Sequence, residues 1–290
     1  MPARNYSCAT VIAGPSIWRG RLDSSNAAAR VKKSPTKQAQ RAYRQLVRLT
    51  ERTSQNAWQV HPLLVAEGGL RAVALADSLA HYLPLVQQVI NQTTRRVFNG
   101  ETVPALEKLV SLFEPHTAII RRGKARPHET EYGRKVWYAE SDGGLITRYA
   151  LLTGNPPETN QWLPSIQHHH KLFGHPPDEA TADRGVYSED NVQQAIALGV
   201  KRVALPKPGA KSRKQQRRES QPWFKAVLRW RNGIEGRISQ LRRARGLDRC
   251  LNHGEPGMER WLGWGVIANN LMVIAQALTH RRRKYRRRTA

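Results

Sequence analysis

Residues 223–243 read WFKAVLRWRNGIEGRISQLRR, and this stretch decides how the carboxyl-terminal half of the chain folds. Its large apolar side chains recur every three or four residues: Trp223, Val227, Trp230, Ile234, Ile238 and Leu241. Such spacing predicts an amphipathic helix with one buried face. One acid, Glu235, stands at the margin of that face, one turn after Arg231 and two turns before Arg242. The stretch therefore predicts a helix that presents a single carboxylate among basic side chains.

A second stretch, residues 180–199, reads ATADRGVYSEDNVQQAIALG. It predicts a short strand ending at Asp183, a glycine turn, a serine or aspartate cap and a helix closed by Gly199. Residues 201–206 predict the next strand. An acid at the carboxyl end of a strand lies where open α/β sheets place their sites. Asp183 is therefore a candidate site residue.

The composition points to a polyanionic partner. Basic residues outnumber acidic ones by 48 to 22, which gives a net charge of +26 at pH 7. Such a charge repels itself in a compact fold unless a polyanion screens it, so we expect nucleic acid. The eight tryptophans and the 39% apolar share favour a globular core over a basic extension. Cys8 and Cys250 lack metal-ligand spacing, so neither a zinc site nor a disulfide framework is predicted.

The sequence predicts no association with membranes. Residues 261–278 approach the length of a membrane span, but Asn269, Asn270 and Gln276 would be costly in lipid. We therefore expect a buried helix there. The apolar run of residues 8–12 is too short for a signal peptide. Together with the scarcity of cysteine, this predicts a cytoplasmic protein.

The first two stretches together carry a known order of motifs. ADRGVYS at residues 182–188, followed by WRNGIEGRISQLRR at residues 230–243, looks like the second Asp and the Glu of DDE transposases. The chain resembles insertion-sequence transposases of the ISNCY-type group. A signature of that family, Arg, three residues, Glu, six residues and Lys, matches at Arg231, Glu235 and Arg242. The last position departs from Lys to Arg.

The resemblance covers about residues 75–280 and implies an α/β fold. The expected architecture is a ribonuclease-H-like mixed sheet with flanking helices and a helical insertion near the N-terminus. The implied domains are an irregular segment at 1–35 with a remnant of the first strand, the helical insertion at 36–112, the catalytic domain at 113–280 and a basic tail at 281–290. We expect the tail to stay disordered until it meets a polyanion.

The resemblance also implies a chemistry. Asp183 and Glu235 would hold Mg²⁺ or Mn²⁺, which take oxygen ligands and promote phosphoryl transfer by activating the nucleophile and stabilising the leaving oxygen. The expected activity is DNA cleavage and strand transfer of an insertion sequence. Four arginines are expected to contact DNA: Arg184, Arg231, Arg237 and Arg242. The expected partners are the element ends, the target DNA and further copies of the chain on DNA, in the bacterial cytoplasm at the nucleoid.

One part of the family pattern is missing near the start of the chain. The family's first Asp lies on a strand close to the N-terminus, and the matching strand predicted around residues 7–13 has no Asp. Asp23 is the one acid in the first fifty residues, and it stands in a loop-like setting. This predicts a truncated or degenerate copy that is catalytically incomplete. An intact enzyme that uses Asp23 is the alternative.

Other interpretations of these features stay open. Glu235 could pair with its neighbouring arginines instead of binding a metal. The chain could be a DNA-binding protein without catalysis, such as a remnant that competes with an active transposase. Its charge alone would also suit an RNA-binding or ribosome-associated protein.

The remaining patterns predict further elements. They are helices at 39–60 and 69–99, antiparallel strands at 132–140 and 145–152, a helix around Trp162, a mobile basic linker at 206–218 and a last packed helix at 258–278. We expect a kink or break at Pro84 in the second of these helices. Asp142 is expected to be a turn residue. His168–His170 predicts a surface tract, because three consecutive helical side chains point about 100° apart and cannot converge on one ion.

Overall fold

A computed structural model of the chain describes residues 7–12, 36–121, 130–154 and 156–289. For residues 7–12, 121, 130–131 and 282–289 it describes the backbone alone. The chain belongs to the α/β class, as the sequence predicted. It divides into two compact units, Gly20–Tyr132 on the one hand and Met1–Arg19 with Gly133–Ala290 on the other.

Two long helices dominate the unit Gly20–Tyr132. Helix α1 spans Lys37–Glu67 and helix α2 spans Leu70–Thr93, and the two pack against each other. Gly68 joins them in a left-handed conformation with φ 71°, which glycine adopts without steric cost. Helix α2 continues through Pro84, so of the predicted kink or break the break is wrong. The kink stays a prediction. Shorter elements follow: a π-helical turn at Thr94–Phe98, a 3-10 turn at Ala105–Glu107, and strands β2 (Ala118–Arg121) and β3 (Thr130–Gly133), which pair.

The other unit contains a three-stranded antiparallel sheet. Strand β4 (Lys135–Ser141) lies between β1 (Ser7–Ile12) and β5 (Ile146–Leu152). Ile12 is opposite Val136, and Lys135 is opposite Leu152. Strands β1 and β5 therefore end where β4 begins, and we call this border of the sheet the carboxyl edge. Strands β4 and β5 lie close to the predicted hairpin of residues 132–140 and 145–152, and β1 falls within the strand expected around residues 7–13.

Two short parallel strands extend this arrangement. Strand β6 spans Glu179–Thr181 and strand β7 spans Arg202–Ala204. Strand β1 lies next to β6, so the spatial order is β5, β4, β1, β6, β7. The hydroxyl of Thr181 donates to the carbonyl of Ala204 at 2.8 Å and ties the pair together. Strand β6 ends two residues before Asp183, slightly earlier than the sequence predicted.

Helices cover both faces of this sheet. Helices α3 (Trp162–Phe173) and α4 (Glu189–Ala197) pack on one face, and α6 (Pro222–Ala244) and α7 (Gly254–Thr289) pack on the other. Each face of the sheet has its own hydrophobic core, and strand β4 contributes to both because successive side chains point to opposite faces. Its Trp137 and Ala139 join the first core, and Val136 and Tyr138 join the second. Helix α6 has the buried face that its spacing predicted.

The segment expected to be a mobile linker folds instead. Helix α5 spans Arg213–Ser220, so the prediction for residues 206–218 is wrong in its second half. Ser212 caps the helix, since its hydroxyl accepts from the backbone N–H of Gln215 at 3.2 Å. Glu219 then accepts from the backbone N–H of Lys207 at 3.0 Å and closes the loop onto the helix. Local polar bonds of this kind order a segment that has few apolar residues.

Helix α7 differs from the sequence prediction at both ends. Its backbone continues to Thr289, so the prediction of a disordered tail is wrong. Within it, Gly254–Arg281 is long and apolar enough to cross a membrane, and no other helix in the described ranges meets that criterion. Core helices of soluble proteins can also satisfy it. Only about a fifth of its most apolar window is buried, 22%, so the expected burial holds for one side of the helix alone.

Candidate functional site

Asp183 lies immediately beyond the end of β6, as a site residue of an open α/β sheet should. It precedes a 3-10 turn at Arg184–Val186, and its Oδ1 accepts from the backbone N–H of Arg184 at 2.6 Å. Ala182 before it and Val186 after it are both fully buried. These two residues anchor the turn, while the carboxylate of Asp183 remains 49% exposed. The site residue is thus held in place and open to solvent.

Helix α6 passes beside this turn and brings a cation to it. The Nη2 of Arg231 lies 3.5 Å from the Oδ2 of Asp183. The helix is fixed there because Phe224 and Val227 pack on Ala204 of β7. The Nε of Arg231 is buried and has no hydrogen-bond partner in the described part of the chain. The guanidinium is partly exposed on its Nη side, where charge-assisted hydrogen bonds to an anionic oxygen are strongest.

Glu235 projects from α6 one turn beyond Arg231. Residues four apart on a helix have Cβ atoms about 6 Å apart, so Glu235 lies on the side of the helix that faces Asp183. Glu235 is exposed, and no ion pair joins it to another residue that the structure describes. Arg231 turns to Asp183, and Arg242 pairs with Asp248 at 2.5 Å. The interpretation of Glu235 as a partner of its own arginines is therefore not what the structure shows.

The surface of α6 around Glu235 is bare. Gly233 and Gly236 flank the acid, and a Cβ added to either would meet nothing within 4 Å. Each glycine costs a helix about 1 kcal/mol relative to alanine. Packing in the described part of the chain does not require these glycines, so no contact there offsets the loss of helix stability. A smooth helix surface next to a carboxylate permits close approach of a polymer backbone.

A second carboxylate lies at the carboxyl edge. The Oε1 of Glu158 lies 3.8 Å from the Nζ of Lys135, the first residue of β4. A Cβ added to Gly185 would lie 3.1 Å from the Oε2 of Glu158, so this acid borders the turn that follows Asp183. The Gly, Pro and Asn of residues 154–160 are typical of a loop before the helix around Trp162, and no pattern there singles out Glu158. Which strand ends share an edge becomes known only once the strands are paired, so the sequence carries no direct signal for Glu158.

The other arginines expected to contact DNA lie in different settings. Arg184 is exposed beside Asp183. Arg237 lies 3.3 Å from Glu140, near the opposite end of β4 from Lys135. Burial raises the pKa of Glu140, while the nearby Arg237 acts in the opposite direction. Arg237 therefore forms an ion pair with a buried carboxylate, and its contact with DNA stays a prediction.

The donor atoms at this edge suit a hard cation, although the set is incomplete. Asp183 and Glu235 offer carboxylate oxygens, which Mg²⁺ and Mn²⁺ prefer. Among the described residues, no group of three or more His, Cys, Asp or Glu is placed to hold a metal ion. Strand β1 reads SCATVI and carries no acid, and Asp23 lies outside the described residues. Asp183 and Glu158 are thus the two acids that the described contacts place at this edge, and the part of Glu235 as a metal ligand stays a prediction.

The histidine tract is not part of the site. His168 and His170 of α3 are exposed, whereas His169 is buried, so the prediction of a surface tract is wrong for its middle residue. The ring of His169 packs on Phe173 with centroids 4.5 Å apart. Helical geometry separates the three side chains, as expected.

Comparisons with known proteins assign no family to the chain. The chain matches no protein-family model. Neither a curated protein nor a solved structure matches it significantly. The residues at the carboxyl edge are therefore the features of the chain that bear on its function.

Proposed function

We propose that this chain is a DDE-type insertion-sequence transposase, of the ISNCY-type group, in which Asp183 and Glu235 are the second and third metal-binding carboxylates. The contact of 3.5 Å between Arg231 and Asp183 carries the proposal. It holds Arg231, one helical turn before Glu235, beside the end of β6. On this proposal, the carboxylates of Asp183 and Glu235, which are 52 positions apart in the sequence, reach the same divalent ion.

The order of the strands supports the same proposal. A three-stranded sheet (β5, β4, β1) and a two-stranded parallel sheet (β6, β7) lie side by side in the spatial order β5, β4, β1, β6, β7. This strand order, with β4 antiparallel to its neighbours, is the one expected of a ribonuclease-H-like fold. In such a fold, the first strand is central and the site lies at its carboxyl end. Asp183 and Glu158 lie at that end here.

Each residue at the edge has a role in this proposal. Asp183 and Glu235 hold a divalent ion, which supplies activation of the attacking oxygen and stabilisation of the leaving oxygen when it is bound. Arg231 keeps the carboxylate of Asp183 in position through its Nη2, and the exposed part of its guanidinium contacts a phosphate oxygen. Arg184 contacts the DNA backbone. Gly233 and Gly236 let that backbone come close to α6.

A DNA-binding protein without catalysis is the second candidate. The observation in its favour is the lack of an acid on β1, where the family's first Asp would lie. Such a protein would bind element ends and compete with an active copy. It would retain salt-sensitive binding to DNA and show no cleavage.

A nicking assay on supercoiled plasmid with Mn²⁺ separates the two candidates. The full chain is compared with Asp183→Ala, Glu235→Ala and Asp23→Ala, and with Glu259→Ala as an exposed control on α7. Nicking that is lost in the first two variants and kept in the control supports the transposase. Loss in Asp23→Ala as well would identify Asp23 as the third ligand. Binding of DNA without any nicking supports the second candidate.

Metal binding and polymer preference are measured separately from activity. Electron paramagnetic resonance of Mn²⁺ should show at least a tenfold weaker affinity in both Asp183→Ala and Glu235→Ala. Unchanged Mn²⁺ binding in these variants would refute the proposed ligands. Gel-shift titrations with duplex DNA and with RNA of equal length test the partner. Preferential binding to RNA, insensitive to both substitutions, would contradict both candidates.

A further inference from the structure

Helix α7 has two apolar sides, and only one of them is covered. Met258, Leu262 and Val266 are buried in the core beneath α6 and the sheet. The opposite side carries five large residues with these exposed fractions: Trp264 68%, Ile267 49%, Leu271 62%, Ile274 46% and Leu278 54%. We call these five residues the α7 seam. An apolar stripe of this length is unusual on a free surface and marks an interaction site.

The spacing of the α7 seam selects another helix as its partner. Its members follow one another at intervals of three, four, three and four residues, which is the a and d pattern of a coiled coil. Ala268 and Ala275 flank the seam, so a second helix can approach closely. Such regularity would not be needed for a strand or for a loop.

We propose that a second copy of this chain covers the α7 seam, with the two α7 helices antiparallel. In this arrangement a two-fold axis passes between Leu271 and Ile274 and brings each of them against the other in the opposite copy. Ile267 then lies against the partner's Leu278. The outermost residue, Trp264, lies against the partner's Arg281, which is a favourable cation–π pairing. The seam is thus complementary to itself in every layer.

The parallel arrangement is excluded by the same residues. It would bring Arg281 against Arg281 and extend that contact into the basic run that follows, where like charges repel. It would also stack Trp264 on Trp264. The antiparallel pair separates the two basic ends by the whole length of the seam.

A lipid bilayer does not suit the α7 seam. The Oδ1 of Asn270 accepts from the backbone N–H of Ile146 at 2.9 Å, and its amide donates to the carbonyl of Ile146 at 2.8 Å. These two bonds fix the middle of α7 to strand β5. Asn269 is also buried. A helix that is fixed to a sheet along one side cannot be surrounded by lipid.

The area of the seam is sufficient for a specific dimer. Five large side chains, each about half exposed, bury on the order of 1,000 Å² in total when two copies meet, which is about the area that a biological interface needs. From Leu271 to Arg281 all side chains except Val273 are exposed. A helical segment without tertiary contacts is marginal by itself. Its cover by a second copy explains why the helix continues.

The test is sedimentation of the full chain, freed of nucleic acid, at about 1 to 50 μM. The wild type should form a dimer, and Leu271→Glu or Ile274→Glu should weaken it at least tenfold. Met272→Glu is the matched control, because Met272 is also exposed and apolar but lies outside the seam. It should change the dissociation constant less than threefold. Because the substituted residues are exposed, circular dichroism of the monomers should be unchanged.

Disulfide formation tests the orientation. In a chain with Cys8→Ser and Cys250→Ser, an equimolar mixture of Leu271→Cys and Ile274→Cys should form the mixed disulfide between two chains. Disulfides of Leu271→Cys with itself would instead indicate parallel helices and overturn the proposal.

Three other results would also refute the dimer. They are a wild-type chain that stays monomeric at 50 μM, equal effects of Leu271→Glu and Met272→Glu, and flotation of a monomeric chain with phosphatidylcholine vesicles. The last result would assign the seam to a membrane. None of these outcomes depends on the nicking assay, so the dimer and the proposed activity can fail independently.

Discussion

At the scale of single residues, Ser165 forms hydrogen bonds with several polar groups in the core of the sheet-containing unit. Its hydroxyl accepts from the indole N–H of Trp137 at 2.8 Å and from Arg148 at 3.2 Å, and it donates to the carbonyl of Gln161 at 2.8 Å. Ser165→Ala would leave the buried indole N–H without an acceptor. We expect a loss of about 1–3 kcal/mol in the free energy of unfolding.

Urea denaturation followed by circular dichroism measures this loss. Ser220→Ala is the control, because the hydroxyl of Ser220 is exposed and bonds only to the carbonyl of Arg217. The control should change the free energy of unfolding by less than about 0.5 kcal/mol. Equal effects of the two substitutions would contradict the role of Ser165.

His169 should make the stability depend on pH. Burial lowers its pKa to about 4, and the nearby His175, His170 and His168 act in the same direction. In the unfolded chain the imidazole takes up its proton near its ordinary pKa of about 6.5. Because the unfolded state then binds more protons, stability is full above about pH 6.5 and falls as the pH decreases toward 4. At about pH 5 the loss reaches about 2 kcal/mol.

Urea midpoints at about pH 7.5 and pH 5 test this expectation. His169→Leu should remove this part of the pH dependence, whatever it does to the stability at neutral pH. His168→Gln should leave the dependence unchanged, because His168 is exposed. A pH dependence that survives in His169→Leu would show that another group is responsible.

At the scale of elements, the packing beneath α7 limits what its glycines can become. A Cβ added to Gly265 would lie 2.5 Å from Leu247, which is itself buried. Gly265→Ala should therefore lower the free energy of unfolding by about 1–3 kcal/mol. Gly236→Ala on α6 meets nothing within 4 Å and should raise it by about 0.5–1 kcal/mol. Thermal unfolding of both variants tests these changes, a lower midpoint for Gly265→Ala and a higher one for Gly236→Ala.

Most elements of the unit that contains the three-stranded sheet could be predicted from local patterns. The alternation around Trp137 indicated β4, and the spacing around Ile234 indicated α6. Helix α5 was missed because polar caps, and not apolar periodicity, hold it. The burial of His169 was missed because the face of α3 that packs on the sheet is set by tertiary contacts.

The candidate site could be predicted only in part. Asp183 follows from a strand ending before a glycine turn, and Glu235 from its isolation on a basic helix. The pairing of Arg231 with Asp183 joins two elements distant in sequence, and no spacing encodes it. Glu158 was missed for the same reason, since its proximity to Gly185 depends on how the strands are arranged.

For the whole molecule, the net charge of +26 predicts binding to duplex DNA that weakens steeply with salt. Contacts with six to ten phosphates would lower the affinity by about 10³–10⁵ between 50 and 200 mM salt. A chain that ends at Arg281 lacks six of the 48 basic residues. Its plot of log affinity against log salt should be less steep. Fluorescence anisotropy with a labelled duplex provides the measurement, and a flat plot would exclude backbone recognition.

The place of β1 in the sheet has a consequence for biosynthesis. This strand comes first in the chain, yet its partner β4 is translated more than a hundred residues later. While the ribosome makes the helices in between, the earliest strand has no neighbour and its backbone donors remain unpaired. Closing so distant a pair is slow, because chain entropy opposes it until β4 emerges. The nascent protein should therefore need protection by a chaperone during this interval.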